Sequence, residues 1–199
     1  MPRRRPAPPA GEAPPLVSLV PLGLVDQVAV TVVAAHLQSL LGLSVAVAPA
    51  WPSPEYALLT ARRQYNAGPI LKALAEADLP GRFHVGVTAL DLCLPILTHV
   101  FGEAQLGGVA AVVSFFRLEA GPGGGTKAPR PLAYERLAKV ALHESGHLLG
   151  LAHCRAPNCL MRFSQGLEHL DSLPMGFCDA CAYELERIRR ALGAPPGPP

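Results

Sequence analysis

Hydrophobic and polar residues follow two different periods in the first half of the chain. A continuous apolar run at residues 16–22 predicts a buried strand, and apolar positions then recur at helical spacing from Asp26 to Gly42. Strands that alternate with helices predict a layered α/β fold. The elements that follow are a strand, a proline-rich loop, a helix and a strand, predicted at residues 43–47, 49–54, 70–77 and 83–90.

The second half contains a long apolar run followed by a long helical pattern. Residues 108–118 are β-branched and aromatic, which predicts a strand, and the Gly/Pro-rich residues 121–131 predict an exposed, mobile loop. Helical spacing of apolar residues then covers residues 132–149, and Gly150 ends this helix because glycine tolerates a left-handed backbone. The apolar run at residues 106–116 is far shorter than the roughly 20 residues that cross a bilayer, so no membrane segment is predicted.

Composition indicates one globular domain. The 199 residues carry 17 basic and 15 acidic side chains, a net charge of +2, and half of the residues are hydrophobic. A net charge so close to zero attracts neither nucleic acid nor an anionic membrane surface, and neither is expected as a partner. We expect a cytoplasmic protein, since prolines interrupt the N-terminal apolar segment and no signal-peptide cleavage site follows it. A monomer is also expected.

Proline is concentrated at the two ends of the chain. Residues 1–15 and 193–199 are expected to be disordered tails, because proline lacks an amide donor and fixes φ. The folded unit is therefore predicted at residues 16–192, with an N-terminal α/β part at 16–150 and a small C-terminal subdomain at 151–192.

Histidines at the end of the predicted long helix have the spacing of a zinc ligand set. The segment HESGHLLGLAH, which begins at His143, has the pattern HExxHxxGxxH. Four helical residues advance about 400°, so His143 and His147 project from one face and can share an ion. Gly150 lets the chain turn back and bring His153 to the same ion, which leaves a fourth position open for water. Glu144 lies beside that face, which suits a general base.

This pattern is specific. With the chain's own residue usage, chance produces the whole pattern with a probability of about 4 in 100,000. Histidines that are merely exposed on an amphipathic helix are the alternative. The remaining histidines have no partner at ligand spacing, so surface or hydrogen-bonded core positions are predicted for His36, His84, His99 and His169.

Four of the five cysteines follow with the spacing C-x4-C-x18-C-x2-C. Cys154, Cys159, Cys178 and Cys181 predict a closed tetrahedral zinc site with a structural role. Two disulfides or a CxxC redox pair are the alternatives, which the expected compartment and the absence of a preceding thioredoxin-like strand disfavour. Cys93 stands alone in an apolar stretch and is expected to be buried. The expected cofactors are therefore two zinc ions per chain, one catalytic and one structural.

Taken together, the motifs resemble those of the archaemetzincins, a branch of the metzincin zinc metallopeptidases. The resemblance rests on HExxHxxGxxH joined to C-x4-C-x-M and a later CxxC, and on upstream segments at residues 63–65, 86–92, 100–104 and 107–110. It covers about residues 16–192. It implies a compact α/β domain with a mixed twisted sheet, an active-site helix and a small C-terminal subdomain that a zinc ion cross-links.

The resemblance also implies a role for individual residues. His143, His147 and His153 match the catalytic zinc ligands, and Glu144 matches the general base. Met161 matches a methionine turn that packs beneath the metal without binding it. The four cysteines match a second zinc site. The strand at residues 108–118 is expected to form the lower edge beside the cleft and to pair with an extended substrate.

The predicted function is zinc-dependent hydrolysis of a peptide bond in a peptide or protein substrate. The alternative is a zinc-stabilised peptide- or protein-binding module with little or no turnover, which has no need of Glu144. A third possibility is nucleic-acid binding through the cysteine cluster and three arginines, which the net charge of +2 disfavours. These arginines are Arg187, Arg189 and Arg190.

Overall fold

Eight strands and five α-helices form within the part of the chain that a computed structural model describes, residues 14–121 and 125–193. The predicted tails fall outside these ranges, apart from residues 14, 15 and 193. The strands are β1 (Val17–Leu22), β2 (Val45–Val47), β3 (Leu58–Leu59), β4 (Gln64–Asn66), β5 (Phe83–Thr88), β6 (Leu92–Cys93), β7 (Gly102–Ala104) and β8 (Ala110–Ser114). The helices are α1 (Gln27–Leu41), α2 (Ala67–Ala75), α3 (Arg130–Leu148), α4 (Leu167–Ser172) and α5 (Asp179–Ala191).

The main sheet has five strands in the order β2-β1-β5-β8-β7. The first four are parallel, and β7 runs antiparallel to β8 at one edge. Helices α1 and α3 pack on one face of this sheet and α2 packs on the other. A second, small sheet has the order β3-β4-β6. The α/β class with a mixed sheet is therefore confirmed.

Local signals place the first helices. The Asp26 carboxylate accepts a hydrogen bond of 2.9 Å from the Val28 amide and caps α1, and Gly42 ends the helix with φ +60°. Helix α2 begins three residues earlier than predicted, because the Asn66 side chain caps it by accepting from the Gly68 amide. No helix in the described ranges is long and apolar enough to cross a membrane.

The C-terminal segment shares the main hydrophobic core. Leu160, Met161 and Leu185 are buried in the same cluster as α1, α3 and β5. An ion pair fastens α4 to α3: the Arg136 guanidinium donates two hydrogen bonds of 2.6 Å to the Asp171 carboxylate. The segment that carries the cysteines is therefore packed directly on the helix that carries the histidines.

The strand predicted at residues 108–118 is shorter than expected and lies elsewhere in the sheet. Only Ala110–Ser114 is extended, and Arg117–Glu119 forms a 3-10 turn. Because β8 pairs with both β5 and β7, the prediction that it forms the lower edge is wrong. Its five residues are all buried, and burial on both faces explains the continuous apolar run. The edge strand beside the cleft is β7.

The loop predicted at residues 121–131 is confirmed only in part. Residues 125–127 are exposed, but Ala128 is buried and α3 already begins at Arg130. Residues 122–124 lie outside the described ranges. Helix α3 ends at Leu148, and Gly150 follows with φ +93°, as its predicted role requires.

Candidate metal centre

Three histidines converge at the end of α3. His143 and His147 lie one turn apart, and their Nε2 atoms are 3.1 Å apart. Beyond Gly150 the chain turns back, so that the ring centre of His153 lies 5.3 Å from that of His143 and 4.8 Å from that of His147. One ring nitrogen from each histidine lies within 4.8 Å of the others. The structure thus brings together all three predicted ligands.

Backbone carbonyls fix the orientation of two of these rings. The Nδ1 atom of His143 is 2.7 Å from the Leu160 oxygen, and that of His147 is 2.7 Å from the Leu151 oxygen. A carbonyl oxygen only accepts, so each Nδ1 donates and each Nε2 presents a lone pair. Two lone pairs 3.1 Å apart suit a cation between them, since tetrahedral zinc holds its nitrogen ligands about 3.3 Å apart. The donor set therefore fits zinc.

Burial keeps these imidazoles neutral. It lowers the pKa of His143 to about 4, even though the hydrogen bond to Leu160 acts in the opposite direction. Burial also lowers the pKa of His147. A neutral imidazole is the form that binds a metal ion, so both rings are ready to bind at neutral pH.

Glu144 is buried beside the histidines and faces the edge strand. Burial raises the pKa of its carboxyl to about 8, and the negative charge of Glu103 acts in the same direction. A Cβ atom added to Gly102 would lie 2.7 Å from the Glu144 Cγ atom, so the strand and this side chain are in close contact. A bound divalent cation nearby favours the carboxylate form.

Met161 lies under α3. Its side chain is fully buried, and a Cβ atom added to Gly146 would lie 2.5 Å from the Met161 sulfur. The Met161 carbonyl accepts a hydrogen bond of 2.8 Å from the Cys154 amide. Met161 therefore packs in a space that exists because position 146 has no side chain.

The four predicted cysteines form a second cluster. The sulfurs of Cys154, Cys159, Cys178 and Cys181 all lie within 4.8 Å of one another, and those of Cys154 and Cys178 are 3.8 Å apart. The Cys181 amide donates to Cys178 and is the main cause that lowers the Cys178 pKa to about 7, while burial raises the pKa of Cys159 and Cys181. All five cysteines are free thiols, and the four that cluster offer one sulfur each to a single site. Cys93 is buried, as predicted.

The histidines open onto a cleft of about 620 Å³ between β7, the end of α3 and the segment after Met161. Glu144 also lines it. Two large apolar side chains stand at its rim: Leu106 is 62% exposed and Phe163 is 56% exposed. The Phe163 ring centre lies 5.3 Å from that of His153.

Among the described residues, no other histidine joins the cluster of three histidines or the cluster of four cysteines. His84 is a hydrogen-bonded core residue, whose ring nitrogens lie 2.6 Å from the Leu74 oxygen and 2.9 Å from the Gly81 oxygen. His36 contacts the Val32 carbonyl on its own helix. His99, for which a surface or core position was predicted, lines the cleft.

Comparison with known proteins identifies the family to which the chain belongs. Residues 62–187 match the model of Peptidase family M54. The chain belongs to this family. It is similar to the archaemetzincin of Archaeoglobus fulgidus, with 40% identity over 156 residues that cover 78% of this chain and 90% of the relative. The archaemetzincin of Haloquadratum walsbyi is 33% identical over 168 residues, which cover 83% of this chain and 96% of the relative.

Solved structures of the family have the same fold. The crystal structure of the Archaeoglobus fulgidus archaemetzincin complexed with malonate superposes with a TM-score of 0.74 at 39% identity, covering 84% of this chain and 98% of that one. The Methanopyrus kandleri archaemetzincin gives a TM-score of 0.76 at 34% identity, covering 87% and 94%. The predicted resemblance is confirmed: this M54 chain is a zinc metallopeptidase, a hydrolase of peptides or proteins.

Sequence reasoning missed several residues that line the cleft of this M54 peptidase. Gly102 lies in a segment that contributed to the resemblance, but nothing local marked it as a neighbour of Glu144. Leu106 and Phe163 carry no motif, and only the fold brings them to the rim. The three predicted histidine ligands, in contrast, are marked by their spacing in the sequence.

Proposed function

We propose that this chain hydrolyses peptide bonds with zinc held by His143, His147 and His153 and with Glu144 as the general base. The observation that carries the proposal is the pair of Nε2 atoms 3.1 Å apart, whose rings are oriented by carbonyls at their Nδ1 atoms. When bound, zinc supplies Lewis-acid activation of water and polarises the scissile carbonyl.

Glu144 moves the proton in this scheme. Its carboxylate accepts a proton from the attacking water as the new C–O bond forms, and it returns that proton to the amine nitrogen as the C–N bond breaks. Its position in the chain, one residue after a ligand, places it beside the ligand face of α3 rather than on it. Burial and the close contact with Gly102 restrict this carboxylate to the cleft.

The edge strand β7 orients the substrate in this proposal. The Ser114 amide donates to the Phe101 carbonyl, and the Gln105 amide donates to the Ala110 carbonyl. In an antiparallel ladder the residues between such pairs direct their backbone groups away from the partner strand. Gly102 thus presents its amide and carbonyl to the open edge, where an extended peptide can add as a further strand.

The cysteine cluster holds the second zinc in this proposal. Four thiolates close a tetrahedral site without an open position, which gives this ion a structural role. We assign the whole activity to residues 16–192, with residues 151–192 as a small subdomain on the part at 16–150. The shared core, in which Leu160 and Leu185 pack with α3, supports one catalytic unit.

The test is Glu144→Gln, which keeps the shape of the side chain but removes the base. We expect the variant to retain two zinc ions per chain and to lose about 10²- to 10⁴-fold in peptide cleavage. Metal content is measured by atomic emission, and cleavage by mass spectrometry of a peptide library. The matched control is Glu168→Gln, an exposed carboxyl on α4.

Three outcomes would contradict the proposal. A Glu144→Gln variant as active as the wild type excludes Glu144 as the base. Loss of a zinc ion from this variant would indicate that Glu144 binds the metal. A zinc-loaded wild type that binds peptides of the library without cleaving them supports the binding-module alternative.

A further inference from the structure

The histidine site and the cysteine cluster share a short stretch of chain. His153 and Cys154 are neighbours in sequence, so one peptide unit separates a proposed ligand of the first metal from a ligand of the second. The chain then forms a turn at residues 154–161, which also carries Cys159, the second residue of the cysteine cluster. A displacement of this turn therefore moves groups of both sites.

The same turn also orients a second histidine. The Leu160 carbonyl, one residue after Cys159, accepts the hydrogen bond of 2.7 Å from the Nδ1 atom of His143. The side chains of Cys159 and Leu160 are fully buried. The position of this carbonyl therefore depends on how firmly the turn is held.

One backbone hydrogen bond closes the turn, and a second fastens it to the segment that precedes α5. The Cys154 amide donates to the Met161 carbonyl, and the Leu160 amide donates to the Gly176 carbonyl, both at 2.8 Å. The remaining sulfurs come from another segment, since Cys178 directly precedes α5 and Cys181 lies in its first turn. An ion bound by all four sulfurs would cross-link the turn to α5.

We infer that the four cysteines are positioning residues for the histidine site: a metal ion bound by the cysteines holds the turn at residues 154–161 and thereby tightens metal binding by His143 and His153. The inference rests on the proposed ligand assignment. Groups that orient metal ligands change metal affinity by about 10- to 100-fold when they are removed, and we expect a change of that size here.

His147 provides an internal control. Its Nδ1 atom is held by the Leu151 carbonyl, which lies outside the turn and close to His147 in sequence. The inference therefore predicts different behaviour for rings on the same helix. The ring of His143 loses its fixed orientation when the cysteine site is empty, and the ring of His147 keeps it.

The first experiment measures zinc affinity at the histidine site in the full chain. A mild chelator removes zinc from the open site, and zinc is titrated back by calorimetry. We expect Cys181→Ser to bind this zinc 10- to 100-fold more weakly than the wild type. Cys181→His keeps four ligands and should stay within about threefold of the wild type. The matched control is Cys93→Ala, which removes a buried thiol outside both sites.

A folded Cys181→Ser chain with wild-type affinity at the histidine site overturns the inference. If that variant does not fold, the wild type itself provides the test. With zinc only in the cysteine site, ¹⁵N NMR of the imidazoles should show His143 as a single Nδ1–H tautomer with a slowly exchanging proton. A His143 ring that averages between tautomers in this state overturns the inference as well.

A separate variant distinguishes this inference from the proposed function. His147→Ala should retain one zinc ion per chain, in the cysteine site. Two zinc ions in this variant would mean that the histidine assignment itself is wrong. One zinc ion in His147→Ala together with unchanged affinity in Cys181→Ser would refute only the coupling between the sites.

Discussion

Gly102 on the edge strand lies directly against Glu144 on helix α3. A Cβ atom at position 102 would be 2.7 Å from the Glu144 Cγ atom, 3.0 Å from its Oε1 atom and 3.0 Å from a methyl group of Val140. The absence of a side chain at this position therefore makes room for the carboxylate that we propose as the base.

Gly102→Ala should reduce kcat/KM by about 10- to 100-fold, because a displacement of a catalytic group by about 1 Å costs this much. Zinc content should remain at two ions per chain, since the atoms nearest to a Cβ at position 102 belong to Glu144 and Val140 and not to a proposed ligand. Peptide cleavage and atomic emission measure the two quantities. Gly125→Ala is the control, because a Cβ atom there meets nothing within 4 Å. Unchanged cleavage by Gly102→Ala would show that the carboxylate does not depend on this contact.

Phe163→Ala should weaken the binding of peptides with large apolar side chains. The ring is 56% exposed at the rim of the cleft and lies 5.3 Å from the His153 ring, so its exposed face is available to a substrate. We expect KM to rise several-fold for such peptides, with kcat changed less, because the lost contact is made before and during the reaction. Leu24→Ala, which removes a 97% exposed side chain that does not line the cleft, is the control. A KM equal to that of the wild type would exclude Phe163 from substrate binding.

Gly146→Ala should destabilise the protein even though alanine favours helices. The new methyl group would lie 2.5 Å from the Met161 sulfur, and Met161 is fully buried, so its side chain has to shift within the core. Overpacking of this kind costs about 1–3 kcal/mol of unfolding free energy, more than the roughly 1 kcal/mol gained in helix propensity. Urea denaturation measures the change. In a Met161→Ala background the same substitution should cost less, and equal costs in both backgrounds would contradict the assigned contact.

Asp171→Ala should lower the free energy of unfolding by about 2–3 kcal/mol, because it leaves the Arg136 guanidinium without its carboxylate partner. The Arg136 side chain is only 3% exposed, and the substitution removes two of its hydrogen bonds, both of 2.6 Å. The control is Glu76→Ala, which breaks an exposed pair with Lys72 and should cost at most about 0.5 kcal/mol. Similar urea midpoints for the two variants would mean that this ion pair does not hold α4 on α3.

Helix α3, which carries two of the predicted zinc ligands, could be predicted from the sequence because the residues that determine it are close together in the chain. A spacing of four residues puts His143 and His147 on one face, and a glycine with φ +93° ends the segment before His153. The start of α1 is local in the same sense: helical spacing is predicted from Asp26 onward, and the helix begins at Gln27, directly after this residue.

The edge of the sheet could not be predicted in this way, because strand order is set by pairing between distant residues. The three residues Gly102–Ala104 are too few to show an alternating pattern. The resemblance implies an edge strand at residues 108–118, but the five consecutive buried residues Ala110–Ser114 are typical of a strand with neighbours on both sides. The contact of Phe163 with His153 likewise depends on a turn whose shape no motif specifies.

The edge at β7, where we propose that the substrate adds, also bears on aggregation. A strand that must accept a substrate backbone cannot be covered permanently by another part of the chain, and uncovered edges are the usual places where two molecules join their sheets. Both edge strands of the main sheet, β2 and β7, are only three residues long. Such short edges offer few hydrogen bonds to a second copy, so an edge left free for the proposed substrate strand gives little support to sheet-to-sheet association.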